Sequence, residues 1–369
     1  MTNFRKYLLI SLIFAAINAI LLLVFFVPQF NHPDTLQYVS TIKHISGDEG
    51  SEISPFRILK PLPILIAVLL NPILSPENAL VAQNVIFYFL SVWLVFLLVC
   101  KIYKNEKQAL YGTILYGASY PMLAYGLAAL TDLSGWFFFL LTVLLSLSFL
   151  KNPSFKTAFW PGLVAGFGML FKESMAAAPL FFAGLVFIAS PISLKEKFKY
   201  IFIFGSAFII FPLINSIVLY KLYSYSYWDA FRLGGIDAEG IKGFYMVSPL
   251  RIMIEIGRVL LIGWLFVFLG ALKEFFSKNI ERIKILFSFL PPSLSVFLWS
   301  YPHNRILFIA FPVLVLLGSL GLLRNYKNPR LNSLVEIALL SAYVLINYFI
   351  LEFLLKYGPV IQPPGTLFS

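Results

Sequence analysis

The chain has 369 residues, of which 60% are hydrophobic, 17% are aromatic and only 12% are charged. A soluble domain carries about 25% charged residues, so this composition excludes an ordinary soluble protein and indicates one with many membrane-spanning helices. The single cysteine, Cys100, excludes an internal disulfide and a cysteine-based metal cluster.

Apolar runs that approach or exceed the length of a spanning helix, about 20 residues, recur along the sequence. We predict an all-α polytopic membrane protein with about eleven transmembrane helices (range 9–13), in one transmembrane domain over residues 1–369 with no separate soluble domain. The first run is too long for a removable signal peptide. The fifth and sixth spans have an alternative as a hairpin that does not fully cross. The predicted spans are Leu8–Val27, Ala79–Cys100, Ala109–Gly126, Gly135–Leu150, Ala158–Phe171, Met175–Ala189, Tyr200–Tyr220, Val259–Leu272, Ile285–Ser300, Ile306–Leu323 and Val335–Leu355.

The segment Pro61–Pro76 is apolar, but it is short and rich in proline, which removes a backbone donor and breaks helices. We predict that it lies at the membrane surface or re-enters the membrane. With this segment left out, one set of loops carries 17 of the 28 Lys and Arg residues and 5 of the 17 acidic residues. Because cytoplasmic loops are basic, this distribution predicts a cytoplasmic N-terminus. The net charge of +11 is then an orientation signal, and no nucleic-acid partner is expected.

Most of the unusual polar residues fall on the predicted outer side of the membrane. Two long extracytoplasmic loops are predicted there, residues 28–78 with interfacial helices and residues 221–258. Ionisable groups near membrane depth are costly and tend to mark sites. The candidate site residues are Asp34, Asp132, Arg57, Lys60, Lys172, Arg305, His32, Tyr38, Glu173, Trp228 and His303.

Several short motifs occur in a fixed order on this side. An acidic residue follows the first helix in the stretch His32–Tyr38, and a basic, proline-rich stretch follows at Ser54–Pro63. A second acidic residue opens the fourth helix in Thr131–Trp136, and a basic turn, Phe171–Ser174, joins helices five and six. Arg305 then precedes a helix with an interior proline. This order resembles the GT-C superfamily of membrane glycosyltransferases, which includes protein O-mannosyltransferases and lipid A aminoarabinose transferases.

The resemblance implies an inverting glycosyltransferase in the plasma (inner) membrane with its active site on the extracytoplasmic side. The implied donor is a polyprenyl-phosphate-linked sugar, and the acceptor is a hydroxyl of a lipid, glycan or protein. A carboxylate then takes the acceptor proton and cations neutralise the phosphate. The roles divide as follows: catalytic, Asp34 and Asp132; phosphate or donor binding, Arg57, Lys60, Lys172 and Arg305; substrate contacts, His32, Tyr38, Glu173, Trp228 and His303.

A metal requirement stays open at this stage. The acidic motif around Asp34 is a single Asp, whereas some members of the superfamily carry an Asp-Asp or Asp-Glu pair. If Mg²⁺ or Mn²⁺ is used, Asp34 and Asp132 are the candidate ligands. The oligomeric state also stays open.

Structural roles compete with each of these functional roles. Asp34 and Asp132 are favoured helix N-cap residues, and basic residues at helix ends often anchor to lipid headgroups. Lys172 can simply pair with Glu173, and the aromatic stretch Tyr223–Trp228 suits a membrane-interface belt.

Two other functional classes also stay open. One is an O-antigen-type polymerase or ligase acting through the second long loop. The other is a lipid or solute transporter or flippase, which places ionisable groups near mid-membrane on broken helices. In this sequence the ionisable residues lie at one predicted edge of the membrane, which favours the enzyme.

Overall fold

The structure, a computed structural model, describes residues 3–26, 32–229, 249–296, 304–323 and 329–357. Within these ranges the ordered elements are helices, without a β-strand. The α-helices, numbered in chain order, are α1 (Asn3–Phe25), α2 (Pro33–Ile45), α3 (Pro55–Ile58), α4 (Pro61–Leu70), α5 (Pro76–Tyr103), α6 (Glu106–Gly117), α7 (Asp132–Lys151), α8 (Phe155–Met169), α9 (Ala178–Gly184), α10 (Leu194–Tyr223), α11 (Pro249–Leu260), α12 (Gly263–Ser277), α13 (Ile280–Phe287), α14 (Leu290–Ser295), α15 (Asn304–Leu307), α16 (Phe311–Leu322) and α17 (Pro329–Tyr357). Short π-helical segments (Met122–Gly126, Leu185–Ala189) and 3₁₀ segments (Glu173–Ala177, Phe308–Ala310) lie between them.

Long apolar helices dominate the described part of the chain. Five of them, α1, α5, α7, α10 and α17, are long and apolar enough to cross a membrane. Residues 252–277 of α11 and α12 pass the same test together, but the two helices are bent by 82°. These helices agree with the predicted all-α polytopic membrane protein. The count of eleven spans and the orientation stay predictions.

Several predicted spans are interrupted helices. In the predicted third span, α6 ends at Gly117 and a π-helical segment follows at Met122–Gly126. The predicted sixth span, Met175–Ala189, is built from a 3₁₀ segment, α9 and a π segment, and the predicted span Ile285–Ser300 is divided between α13 and α14. Hydropathy registers only composition, so it does not reveal these breaks. At membrane depth an irregular backbone needs partners from the protein itself.

The proline-rich segment forms the short helix α4, with Pro61 at its first position, where a missing N–H costs nothing. Its 10 residues rise about 15 Å, roughly half of a bilayer's hydrocarbon core. This length agrees with the prediction that the segment does not cross the membrane alone. Its buried face, which includes Ile64 and Ala67, packs against Tyr38 and Ile42 of α2. The two short helices therefore form one packed layer over the start of α5.

Helices α12 and α16 approach until their backbones touch. A Cβ at Gly270 would collide with the carbonyl oxygen of Leu317, and a Cβ at Gly321 would collide with that of Phe266. Glycine permits this approach, as small residues do at many helix contacts in membranes. Because α16 follows directly on the segment that carries Arg305, this contact helps to fix the position of that arginine.

A buried polar network ties α1 to the rest of the bundle. The amide nitrogen of Asn18 donates to the Tyr88 hydroxyl at 2.8 Å and to the Gly117 carbonyl at 3.0 Å. The Tyr348 hydroxyl donates to the Asn18 oxygen at 2.5 Å. One asparagine therefore links α1, α5, α6 and α17, with its hydrogen bonds made inside the protein.

Candidate active site

Seven ionisable side chains from distant parts of the sequence meet beside α2 and the start of α7. We call them the charged cluster. It is linked by ion pairs of 2.5–3.7 Å between neighbouring members. Its members are Asp34, Arg57, Lys60, Asp132, Lys172, Glu173 and Arg305.

Asp34 lies in the first turn of α2, and both of its carboxylate oxygens are occupied. Arg57 Nη2 donates to one oxygen at 2.5 Å, and Arg305 Nη2 donates to the other at 2.8 Å. The N-cap of α2 is His32, whose Nδ1 accepts from the Asp34 N–H at 3.1 Å. The carboxylate of Asp34 is thus free of the capping role that its residue type also allows.

Two arginines control the acidity of Asp34. Burial alone would raise the pKa of this carboxyl, but the guanidinium groups of Arg305 and Arg57 outweigh burial and hold the pKa well below its usual range. Asp34 is therefore ionised at neutral pH, and its basicity is low while both arginines contact it.

Asp132 is the first residue of α7 and is almost fully buried. Lys172 Nζ lies 3.1 Å from one of its oxygens, and Arg305 Nη1 lies 3.5 Å from the other. One guanidinium therefore bridges the two candidate catalytic carboxylates, with one nitrogen toward Asp34 and another toward Asp132. The N-cap of α7 is Thr131, so Asp132 is not the capping residue.

The turn after α8 contributes Lys172 and Glu173 to the charged cluster, and Glu173 connects Lys60 to it. Glu173 pairs with Lys60 at 2.9 Å and lies 3.7 Å from Lys172. Burial alone would lower the pKa of Lys172, but the carboxylates of Asp132 and Glu173 outweigh burial and raise it. Lys172 is therefore a permanent cation. The predicted local pair of Lys172 and Glu173 exists, as one link in a larger network.

Tyr38 lies under the cations of the charged cluster, and only 1% of its surface is exposed. Its ring centroid is 5.1 Å from the Arg57 guanidinium carbon and 5.8 Å from Lys60 Nζ, within cation–π range. Its hydroxyl lies 2.8 Å from the Thr131 hydroxyl. The Tyr38 ring thus contacts the two cations, and its hydroxyl joins α2 to the start of α7. The contact of Tyr38 with substrate stays a prediction.

The other predicted contact residues lie at the edge of the charged cluster or beyond it. Burial lowers the pKa of His32, which keeps its ring neutral at pH 7. Trp228 is 69% exposed, next to Tyr227, whose hydroxyl donates to the Leu59 carbonyl at 2.8 Å. His303 lies outside the described residues, as do residues 230–248, half of the predicted loop 221–258.

Two features of the site escaped the sequence analysis. Gln37 accepts from Arg57 Nε at 2.8 Å, and its position one turn after Asp34 was the signal that would have found it. Gly135 lies one turn after Asp132, where the Lys172 side chain crosses α7. An apolar cavity adjoins this crossing, lined by Gly135, Ser174, Trp136 and Phe308 among others.

The charge balance of the cluster favours an anionic ligand. Four cationic side chains face three carboxylates, so the cluster carries one formal positive charge at neutral pH. Arginine offers a planar fork that matches phosphate oxygens, and lysine offers a point charge. The arrangement fits the binding of a monophosphate beside two ionised carboxylates.

Comparison with known proteins bears on the family and the fold of the chain. The family model of dolichyl-phosphate-mannose-protein mannosyltransferases matches residues 61–217, a range that includes Asp132, Lys172 and Glu173. No curated protein sequence matches the chain. Among solved structures, the fold is similar to the Archaeoglobus fulgidus oligosaccharyltransferase crystallised in complex with Zn and sulfate, with a TM-score of 0.50 and 12% identity.

The structural match covers 94% of this chain and 52% of the archaeal protein, so the chain spans about half the length of that relative. At this identity the match shows the fold. Together, the family model and the fold confirm the predicted resemblance to the GT-C superfamily, and they support a membrane glycosyltransferase.

Proposed function

We propose that this protein transfers a sugar from a polyprenyl-phosphate donor to an acceptor hydroxyl at the extracytoplasmic face of the membrane. The observation that carries the proposal is the bridge made by Arg305 between Asp34 and Asp132, beside the cations Arg57 and Lys172. It puts a base candidate and phosphate-binding cations within one site.

The reaction is a single displacement at the anomeric carbon. The acceptor oxygen forms the new bond to that carbon, the bond from carbon to the phosphate oxygen breaks, and one displacement inverts the configuration. Asp34 takes the acceptor proton. The phosphate leaves on the polyprenyl carrier, and the guanidinium groups of Arg57 and Arg305 with the Lys172 ammonium neutralise its charge.

Donor binding resolves the low basicity of Asp34. The two arginines that depress its pKa are also the best phosphate ligands in the site. When they turn to the donor phosphate, their hydrogen bonds to Asp34 weaken and its basicity rises. The carboxylate then becomes an effective base only when a donor is present.

The described residues do not fit a divalent metal. No group of three His, Cys, Asp or Glu side chains able to hold an ion occurs among them. Asp34 and Asp132 are the predicted ligands, and both are already paired with cationic side chains. The proposed mechanism therefore assigns neutralisation of the phosphate to arginine and lysine. Dependence on Mg²⁺ or Mn²⁺ is tested directly by assaying transfer in EDTA.

The test of the proposed reaction is sugar transfer from a radiolabelled polyprenyl-phosphate donor with Asp34→Asn. The amide keeps the size of the side chain and removes the base, so we expect loss of transfer with the protein still folded in detergent. The matched control is Asp48→Asn, in an exposed turn of the same predicted loop. Full transfer by Asp34→Asn would remove this residue from the mechanism.

The predicted orientation is tested by labelling. Cys100 is the chain's single cysteine, so a Cys100→Ser background accepts one new cysteine at a time. We expect Glu49→Cys, in an exposed turn of the predicted outer loop, to react with a membrane-impermeant maleimide on intact cells. Lys195→Cys, exposed on the predicted inner side, serves as the control and should react only after permeabilisation. The reverse pattern would place the charged cluster in the cytosol and contradict the proposal.

A further inference from the structure

The side chain of Lys172 reaches Asp132 by crossing α7 at a glycine. An ideal Cβ built at Gly135 would lie 2.7 Å from Lys172 Cβ, 2.9 Å from Lys172 Cγ and 2.9 Å from Ser174 Oγ. Ordinary contacts between carbon atoms are about 3.5–4.0 Å. The absence of a side chain at position 135 is therefore what allows the turn after α8 to lie against α7.

The register of α7 places this crossing one turn from the carboxylate. Asp132 and Gly135 are three residues apart, so they share one face of the helix. A lysine stem that runs over position 135 therefore arrives at position 132, where Nζ lies 3.1 Å from the Asp132 oxygen. Gly135 thus allows the Lys172 side chain to cross α7, and Asp132 pairs with the ammonium group at the end of that side chain.

The crowded atoms belong to the root of the lysine side chain. A flexible side-chain end can move away from a new methyl group at little cost, but Cβ and Cγ move only with the backbone of the turn. That backbone is held by bonds from Lys172 N–H to the Gly168 carbonyl at 3.0 Å and from Met175 N–H to the Lys172 carbonyl at 3.2 Å. A methyl group at position 135 therefore has to displace the whole turn, by roughly 1 Å on the contact distances above.

We propose that Gly135 is a positioning residue that sets where Lys172 holds the phosphate of the donor. The proposal rests on the proposed function, since Lys172 is assigned there as a phosphate ligand. A misplacement of about 1 Å at a reacting site is enough to cost up to about 100-fold in rate. Gly135→Ala leaves every charge of the cluster in place, so its effect reports geometry alone.

The experiment measures binding of farnesyl phosphate, a short polyprenyl monophosphate, to the detergent-solubilised protein, with farnesol as the uncharged probe. We expect Gly135→Ala to weaken farnesyl phosphate binding about tenfold and to leave farnesol binding nearly unchanged. Lys172→Ala should weaken farnesyl phosphate binding similarly. In the Lys172→Ala background, Gly135→Ala should add little, because its effect acts through the lysine.

Two glycines provide matched controls. At Gly205, on α10, a Cβ would meet nothing within 4 Å, so Gly205→Ala should bind both probes as the wild type does. At Gly112, on α6, a Cβ would lie 2.9 Å from Val99 and 3.2 Å from Val315. Gly112→Ala therefore introduces similar crowding outside the charged cluster, and it should lower the melting temperature without changing the preference for the phosphate.

The outcomes separate the two claims. Equal binding of farnesyl phosphate by wild type and Gly135→Ala would overturn the positioning role alone. Gly135→Ala could also weaken farnesyl phosphate binding by the same factor in the wild-type and the Lys172→Ala backgrounds. That result would assign the effect to general distortion and would likewise overturn the positioning role. A wild type that does not distinguish farnesyl phosphate from farnesol would contradict phosphate binding by the cluster, and with it the proposed function.

Discussion

Arg305 donates to the Asp34 carboxylate at 2.8 Å although 271 residues separate them in sequence. The same guanidinium reaches Asp132 at 3.5 Å through its other terminal nitrogen. The two acids lie in the first turns of different helices, α2 and α7. A single arginine from the last third of the chain therefore holds together the two halves of the candidate site.

This bridge predicts that lysine cannot replace Arg305. A lysine keeps the charge but is a single point donor, whereas the bridge uses two nitrogens of a planar fork. We expect Arg305→Lys to lower the transfer rate about 100-fold, the usual cost of losing one preorganised donor to a developing negative charge. Transfer is measured with the radiolabelled donor, alongside Lys195→Arg, an exposed exchange of the same two residue types. Wild-type rates for Arg305→Lys would show that the bridge is not needed.

Acid stability should report the ion pairs of Asp34. Its pKa in the folded protein lies below its ordinary value of 3.8, so the stabilisation from its arginines is complete above that value and is lost as the pH falls through the folded pKa. We therefore expect that ionisation of Asp34 does not contribute to the pH dependence of the melting temperature between about pH 5 and pH 8. Asp34→Asn should lower the melting temperature at neutral pH, because it removes the carboxylate that two partly buried arginines share.

The comparison of Asp34→Asn with wild type along a pH series is the measurement. The difference in melting temperature should be constant at neutral pH and shrink only in acid below the ordinary aspartate range. A difference that already shrinks near pH 6 would indicate a pKa raised by burial. It would contradict the assignment of Arg57 and Arg305 as the dominant partners of Asp34.

The class of protein, a membrane protein, and the candidate site residues could be predicted from the sequence for different reasons. Composition alone indicates a polytopic membrane protein, because charged residues are scarce over the whole chain. Asp34, Asp132, Lys172 and Arg305 stood out because ionisable residues beside apolar runs are costly. The ion pairs between them could not be predicted, since they depend on how helices far apart in sequence pack.

Close backbone contacts were also beyond the sequence. The break after Gly117 did have a local signal, because Pro121 stands before the π-helical segment, but hydropathy does not register it. The sequence analysis placed Gly135 within the motif Thr131–Trp136 and at the start of a predicted span, and it assigned this residue no role. Its contact with Lys172 exists because the turn after α8 folds back on α7, a tertiary fact that local patterns do not encode.

The polar network of Asn18 predicts a stability effect without an effect on phosphate binding. Asn18→Ala removes three hydrogen bonds inside the bundle and leaves the hydroxyls of Tyr88 and Tyr348 without this partner. We expect a loss of about 1–2 kcal/mol in the free energy of unfolding, because three contacts are lost and one such contact between membrane helices is worth about 0.6 kcal/mol on average. Chemical denaturation in detergent measures this loss. The control is Ile20→Ala on the exposed face of the same helix, and an equal loss there would deny the network a specific role.

Tyr38 combines two roles that separate substitutions can divide. Tyr38→Phe removes the hydroxyl that lies 2.8 Å from Thr131 but keeps the ring under Arg57 and Lys60. We expect it to cost about 1 kcal/mol in stability and to leave farnesyl phosphate binding close to wild type. Tyr38→Leu also removes the ring, so the two cations lose their support, worth about 0.5–2 kcal/mol for each cation–π contact. Its farnesyl phosphate binding should fall severalfold below that of Tyr38→Phe. If the two variants bind the probe equally well, the ring does not position these cations, and the role of Tyr38 reduces to joining α2 with the start of α7.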